Sequence, residues 1–169
     1  MQTGTVHAMN PESRLRELGL QLPPAAAPKG LYRPAVTVGN LVYTSGHLPA
    51  AEDGALITGR VGADMDEQAG ADAARRAGLA ILATLRSHLG SLDRVRRVVK
   101  VLGLVQCTPD FTKQPAVING CSQLLADVFG PEAGVGARSA VGTSALPLGA
   151  AVEIEAVFEI EHAARSGPA

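Results

Sequence analysis

The chain has 169 residues, 46% of them hydrophobic, which is enough for one well-filled core and too little for two comfortable domains. With 15 basic against 16 acidic residues it projects no field that would gather nucleic acid or an anionic membrane surface, so neither is expected as a partner. Three Phe, two Tyr and no Trp leave the core to Ala, Val, Leu and Ile, a set that suits helices packed closely on a sheet.

Residues 1–9 carry no apolar periodicity and read as a tail. Asn10-Pro11-Glu12 then supplies an N-cap, an N1 proline and an early acid, predicting a short helix to Leu18 that Gly19 closes. Pro23-Pro24-Ala25-Ala26-Ala27-Pro28 cannot hydrogen-bond as helix or central strand and is expected to be an extended connector. Residues 1–28 are therefore set apart from a main domain over 29–162, with 163–169 as a C-terminal tail.

Within the main domain Val36 and Val38 alternate, Gly39-Asn40 makes a tight turn and Leu41 to Thr44 return, which is a hairpin signal. A third short strand is expected over Leu56 to Val61. A long helix follows from about Asp66 to Leu89, its stripe formed by Ala73, Ala77, Ala80, Ile81, Leu85 and Leu89, and ended by Gly90. The β-branched run from Val95 to Val105 fits a buried central strand. Pro115 can open a second helix, with Val117, Ile118, Cys121, Leu124, Leu125 and Val128 at helical spacing as far as Gly130. Two strands remain, around Ser139 to Thr143 and from Ala151 to Ile160, separated by the Leu146-Pro147-Leu148-Gly149 turn.

This order predicts an α+β fold in which two main helices cover one face of a single sheet. In the last strand Val152, Ile154, Ala156, Phe158 and Ile160 should meet the helices, and Glu153, Glu155, Glu159 and Glu161 should line the other face. No apolar run approaches the ~18 residues of a membrane span and no basic-apolar leader opens the sequence, so a cytoplasmic location is expected. Cys107 and Cys121 lack CxxC spacing and read as buried thiols, while His7, His47, His88 and His162 are scattered without HxH or HExxH grouping, so no metal is expected. Arg94, Arg96, Arg97 and Lys100 lack interleaved aromatics and read as a solvated sheet edge. Ser45 and His47 lie next but one to each other at a strand end, a poor arrangement for a nucleophile and its base, and no Gly-x-Ser-x-Gly elbow exists.

The chemistry concentrates in Gly136-Ala137-Arg138-Ser139-Ala140-Val141, followed by Leu146-Pro147 and Val152-Glu153-Ile154-Glu155. An arginine fork matches a carboxylate bidentately and stays charged at any working pH, so Arg138 suggests a site for a small carboxylic acid. Taken alone, Arg138 is equally an arginine of the surface or of an interface.

With Gly39-Asn40, Thr44-Ser45-Gly46 and Asn119, this block resembles the RidA (YjgF) family of reactive-intermediate deaminases, over about Lys29 to Ile160. The resemblance implies a chorismate-mutase-like fold and a homotrimer with sheets turned inward and ligand clefts between subunits. It implies that Arg138 holds the substrate carboxylate and that Glu153, fifteen residues on, positions a water with the backbone carbonyl of Ala140. It adds Tyr32, Ser45 and Asn119 to the cleft.

Each has a plainer reading: Glu153 as one of several solvated glutamates, Tyr32 as an amphipathic packing residue, Ser45 as a hydroxyl satisfying its own strand end, and Asn119 as a helix-surface amide. Many family members have Arg-Ser-Cys-Val, whereas this chain has Arg138-Ser139-Ala140-Val141 and then Gly142 in place of the usual Glu. The expected function is hydrolysis of 2-imino or 2-enamino acids to 2-oxo acid and ammonia without a cofactor. The alternatives are a non-catalytic module that binds a small carboxylate, and an endoribonuclease.

Overall fold

The computed structural model describes residues 10–161. The tails expected at 1–9 and 163–169, with His7 and His162, lie outside the described residues.

Helix α1 spans Pro11–Glu17, and its Asn10 cap accepts a hydrogen bond from the Ser13 amide. Glu12 ties it down by accepting from Nε and Nη2 of Arg86 at 3.1 and 2.7 Å and from the Leu92 amide at 3.0 Å. Strands β1 (Ala35–Val38) and β2 (Leu41–Thr44) form the hairpin expected around Gly39-Asn40. Helix α2 (Glu67–Leu89) is capped by Asp66 and ends at Gly90, whose φ of 84° is the left-handed value glycine tolerates. Strand β3 (Val95–Gln106), helix α3 (Gln114–Phe129), strand β4 (Ala137–Thr143) and strand β5 (Val152–Ile160) complete the chain.

The five strands form one sheet in the order β1-β2-β5-β3-β4, antiparallel except for the β3/β4 pair. A parallel pair needs a crossover, and α3 provides it. Because side chains alternate along β5, its apolar set faces one way, and Val152, Ile154, Ala156, Phe158 and Ile160 are all buried under α2 and α3. The ring of Phe158 lies 6.2 Å from that of Phe129 in α3. Burying such a side chain is worth about 1.5–3 kcal/mol. The two helices pack closely because residue 120 is glycine, where a Cβ would run into the carbonyl of Ala71 in α2.

Four features depart from the sequence reading. Leu56 to Val61 is not a strand; Leu56, Thr58 and Val61 make isolated bridges to Ala50, Ala150 and Cys107. Gly59 and Gly62, at φ of 140° and 91°, break the extended run, so the hydrogen bonds are made singly. Strand β3 is interior but buried on one face only, with two register shifts against β5. For the same reason the basic cluster is not a sheet edge: β3 lies between β4 and β5, and Arg97 pairs with Glu159 at 3.0 Å in mid-sheet. Finally, Ala80 of the α2 stripe is only partly covered, its place in the core taken by Ala74, Gly78 and Leu82.

Candidate functional site

Arg138 stands opposite Val101 of β3, which stands opposite Ala156 of β5, so all three lie on the helix-covered side of the sheet. The Arg138 Nη1 donates to Oδ1 of Asn119 at 2.7 Å and to Oγ of Ser122 at 3.0 Å. Those acceptors sit three residues apart on α3, hence on one helix face. Nη1 has only two hydrogens, so this pair fixes the guanidinium plane and leaves the Nε and Nη2 edge of the fork for another anion. Arg138 lines a cleft of about 250 Å³ together with Val101, Asn119, Ser122, Val135 and Gly136. Cys121, fully buried beneath it, has its thiol pushed up to about 12 by burial, with the Arg138 charge pulling partly the other way. It is therefore a neutral thiol at working pH. Ala140 follows on the same side of β4, half-buried against the core and opposite Gly103.

Glu153 lies on the other side of the sheet. It stands opposite Leu104 between the buried Val152 and Ile154, and is half-buried itself. Its carboxylate rests over Gly46, where a Cβ would displace it. Burial, and then the neighbouring Glu155, push its pKa above the usual carboxylate value.

The segment beneath Glu153 is held from several directions. The Ser45 hydroxyl donates to the Arg33 carbonyl at 2.6 Å, which is the strand-end role its position allowed. His47 Nδ1 meets the Ser45 carbonyl at 2.7 Å and its Nε2 meets the Thr84 hydroxyl of α2 at 2.8 Å. Burial depresses the His47 pKa, so the ring is neutral; Nδ1–H donates to the carbonyl, and Nε2 accepts from Thr84. Backbone bonds of 2.8 and 3.0 Å between His47 and Ile154 lock the same segment to β5 beside Glu153. The Ser45 hydroxyl and the His47 ring thus serve other partners and form no nucleophile and base. Tyr32, 51% exposed, precedes Arg33, and its hydroxyl accepts a long 3.4 Å bond from the Lys29 amide.

The predicted site residues therefore fall into two groups. Arg138 and Asn119 come together, with Ala140 beside them on β4; Glu153 lies over Gly46, the neighbour of Ser45, and Tyr32 adjoins Arg33, whose carbonyl the Ser45 hydroxyl holds. The groups occupy opposite sides of one sheet. Ser122 was not foreseen, although its spacing of three from Asn119 was the available signal, and nothing local in the sequence pointed to the His47–Thr84 bond across 37 residues. Among the described residues no three His, Cys, Asp or Glu side chains gather closely enough to hold a metal ion, and no helix is long and apolar enough to cross a membrane.

Residues 12–159 match the family described as "YjgF/chorismate_mutase-like, putative endoribonuclease". Protein TCP17 of Trypanosoma cruzi is 43% identical over 150 residues, covering 89% of this chain and 94% of that protein. The crystal structure of Atu1372 from Agrobacterium tumefaciens, a protein of unknown function, is 44% identical and superposes with a TM-score of 0.81 over 90% of this chain and 94% of that one. RidA from an Antarctic Psychrobacter is 30% identical, with a TM-score of 0.55 over 80% of this chain and 94% of that one.

Proposed function

This chain belongs to the YjgF/chorismate mutase-like family, and on that premise we propose that it is a hydrolytic deaminase of 2-imino and 2-enamino acids working without a cofactor. The observation that carries the reading is the Arg138 guanidinium at the wall of a cleft, half-pinned there by Asn119 and Ser122 through Nη1 alone. That geometry suits a bidentate carboxylate.

Arg138 anchors the carboxylate and so fixes the adjacent imine carbon. A water held by Glu153 and the Ala140 carbonyl attacks that carbon while Glu153 takes a proton, which its raised pKa favours. The proton passes to the nitrogen of the carbinolamine, the C–N bond breaks, and ammonia and the 2-oxo acid depart. Tyr32 and Ser45 complete the cleft wall.

The two groups must converge, and in one chain they lie on opposite sides of the sheet. A neighbouring copy supplies the missing half in the homotrimer we propose, its sheets turned inward. In support, Val36, Val38 and Tyr43 towards one edge of the uncovered face and Val141 at the opposite edge are 44%, 63%, 45% and 45% exposed, apolar side chains that association with a second copy would cover.

A panel of imines generated by an amino-acid oxidase, with semicarbazide competing for the imine, tests the activity. Ammonia should be released faster with this protein than without it, and no acceleration with any member would refute the deaminase. The absence of the family cysteine at Ala140 favours one second reading, a non-catalytic module that binds small carboxylates. Saturable binding of a 2-oxo acid without turnover would select it. Salt-sensitive cleavage of RNA would instead select the endoribonuclease that the family description names.

A further inference from the structure

A larger cleft, of about 400 Å³, lies at the C-terminal ends of the parallel strands β3 and β4, away from Arg138. Arg60, Cys107, Thr108, Phe111, Thr143 and Ser144 line it. We propose that this cleft is a second ligand site, taking a small monocarboxylate with a flat apolar body, independent of Arg138.

Arg60 is half-buried at the mouth of the cleft, and its guanidinium has no carboxylate within ion-pair distance among the described residues. Its Nη2 donates to the Ser144 carbonyl at 2.8 Å, which tethers the guanidinium to the Ser144 wall and leaves further N–H groups for a ligand. The walls are held in place. Gln106, buried between them, donates to the Gly59 carbonyl at 2.9 Å on the Arg60 side and accepts from the Leu146 amide at 3.0 Å on the Ser144 side. Gln114 closes the floor by donating to the Phe111 carbonyl at 2.6 Å, with the Cys107 sulfur at 3.7 Å from the same nitrogen. At Gly142 a Cβ would stand 2.8 Å from that sulfur and 3.0 Å from the Gln114 amide nitrogen, so glycine keeps the cleft open.

The charge balance selects the ligand. One arginine fork matches one carboxylate. Asp64, whose carboxylate accepts from the Arg60 backbone amide, and Asp110, next in sequence to the lining residues Pro109 and Phe111, lie outside the lining but set negative charge in its surroundings, which disfavours a dianion over a monoanion. Phe111 and Pro109 offer the apolar wall for the ligand's body.

The test is a titration of the whole protein with benzoate, and separately with inorganic phosphate, followed by backbone amide NMR. Benzoate should shift Thr108, Gly142, Thr143 and Ser144 saturably, and phosphate should not. Arg60→Met should weaken benzoate about tenfold or more, the loss of one charge-assisted pair, whereas Arg138→Ala should leave those shifts unchanged. Because Arg60 also supports Ser144, wild-type protein supplies a check without substitution: benzoate should slow alkylation of Cys107 by iodoacetamide, while the fully buried Cys121 stays unreactive. Phosphate binding preferentially, loss of these shifts in Arg138→Ala, or a Cys107 alkylation rate indifferent to benzoate would each overturn the site.

Discussion

The two faces of the sheet obey different rules. On the covered face every inward residue of β5 is apolar and buried, and the polar groups that enter, such as His47 and Thr84, are bonded to each other. On the uncovered face Val36, Val38, Tyr43, Leu102, Leu104 and Val141 are interspersed with Lys100, Arg97, Glu153, Glu155 and Glu159. One face is a finished interior, and the other has the mixed character of a surface meant to meet something. The contrast teaches that the dry packing along β5 belongs to one side alone, whereas the candidate site draws on both, Arg138 from the covered side and Glu153 from the uncovered one.

The sharpest test of that division is Phe158→Ala on the covered face, which should cost about 3–5 kcal/mol by denaturant unfolding, through lost burial and the cavity left beside Phe129. Tyr43→Ala on the uncovered face should instead leave the unfolding of the single chain nearly unchanged and weaken association, read by light scattering as a shift from three chains towards one. Equal destabilisation by both would erase the distinction.

Arg138→Ala tests the site. Its carboxylate-anchoring loss should amount to about 2–5 kcal/mol, or roughly 30 to several thousand fold in kcat/KM, with Arg138→Lys recovering only part. Glu153→Gln should lower kcat while leaving equilibrium binding of a 2-oxo acid nearly constant. Its stability should not fall at pH 7: a carboxyl whose folded pKa is raised contributes stability below its unfolded value and loses it as pH rises through the folded value, so the neutral amide removes a penalty. A Glu153→Gln variant that is less stable at pH 7 and unchanged in kcat would make Glu153 a structural residue.

A smaller effect comes from the neutral His47. Its folded pKa is depressed, so its contribution is complete above the ordinary histidine value near 6.5 and declines as pH falls below it towards the folded value. Denaturation midpoints measured at successive pH values should drop over that window in wild type and lose this component in His47→Gln. The smallest effect belongs to Arg97→Ala, which breaks an ion pair to Glu159 whose arginine is 66% exposed. About 0–1 kcal/mol is expected, vanishing in high salt.

Much of the covered face could be read from the chain alone, since strict alternation in β5 and the stripes of α2 and α3 state which side is dry. Strand β4 carried no such statement. Ala137-Arg138-Ser139-Ala140-Val141-Gly142 has no apolar alternation, so the side to which Arg138 turns, and hence its separation from Glu153, depended on parallel pairing with β3. The stretch from Leu56 to Val61 misled for a related reason: apolar residues resemble a strand until two positive-φ glycines interrupt the ladder. The clamp from His47 to Thr84 joins residues whose local surroundings announce neither partner.

The central position of β5 has a consequence for the order in which the protein can be made. Strands β2 and β3 have no contact with each other in the sheet and share β5 as their only common neighbour. During synthesis every other strand and both main helices emerge before that neighbour exists, so the hairpin and the β3/α3/β4 unit must wait as separate pieces with their apolar sides uncovered. Closure is a late event that joins Leu41 to Glu159, almost the full span of the fold. A nascent chain stalled before Val152 should therefore be protease-sensitive throughout rather than folded in part, and a chaperone that shields apolar surface would find its longest opportunity there.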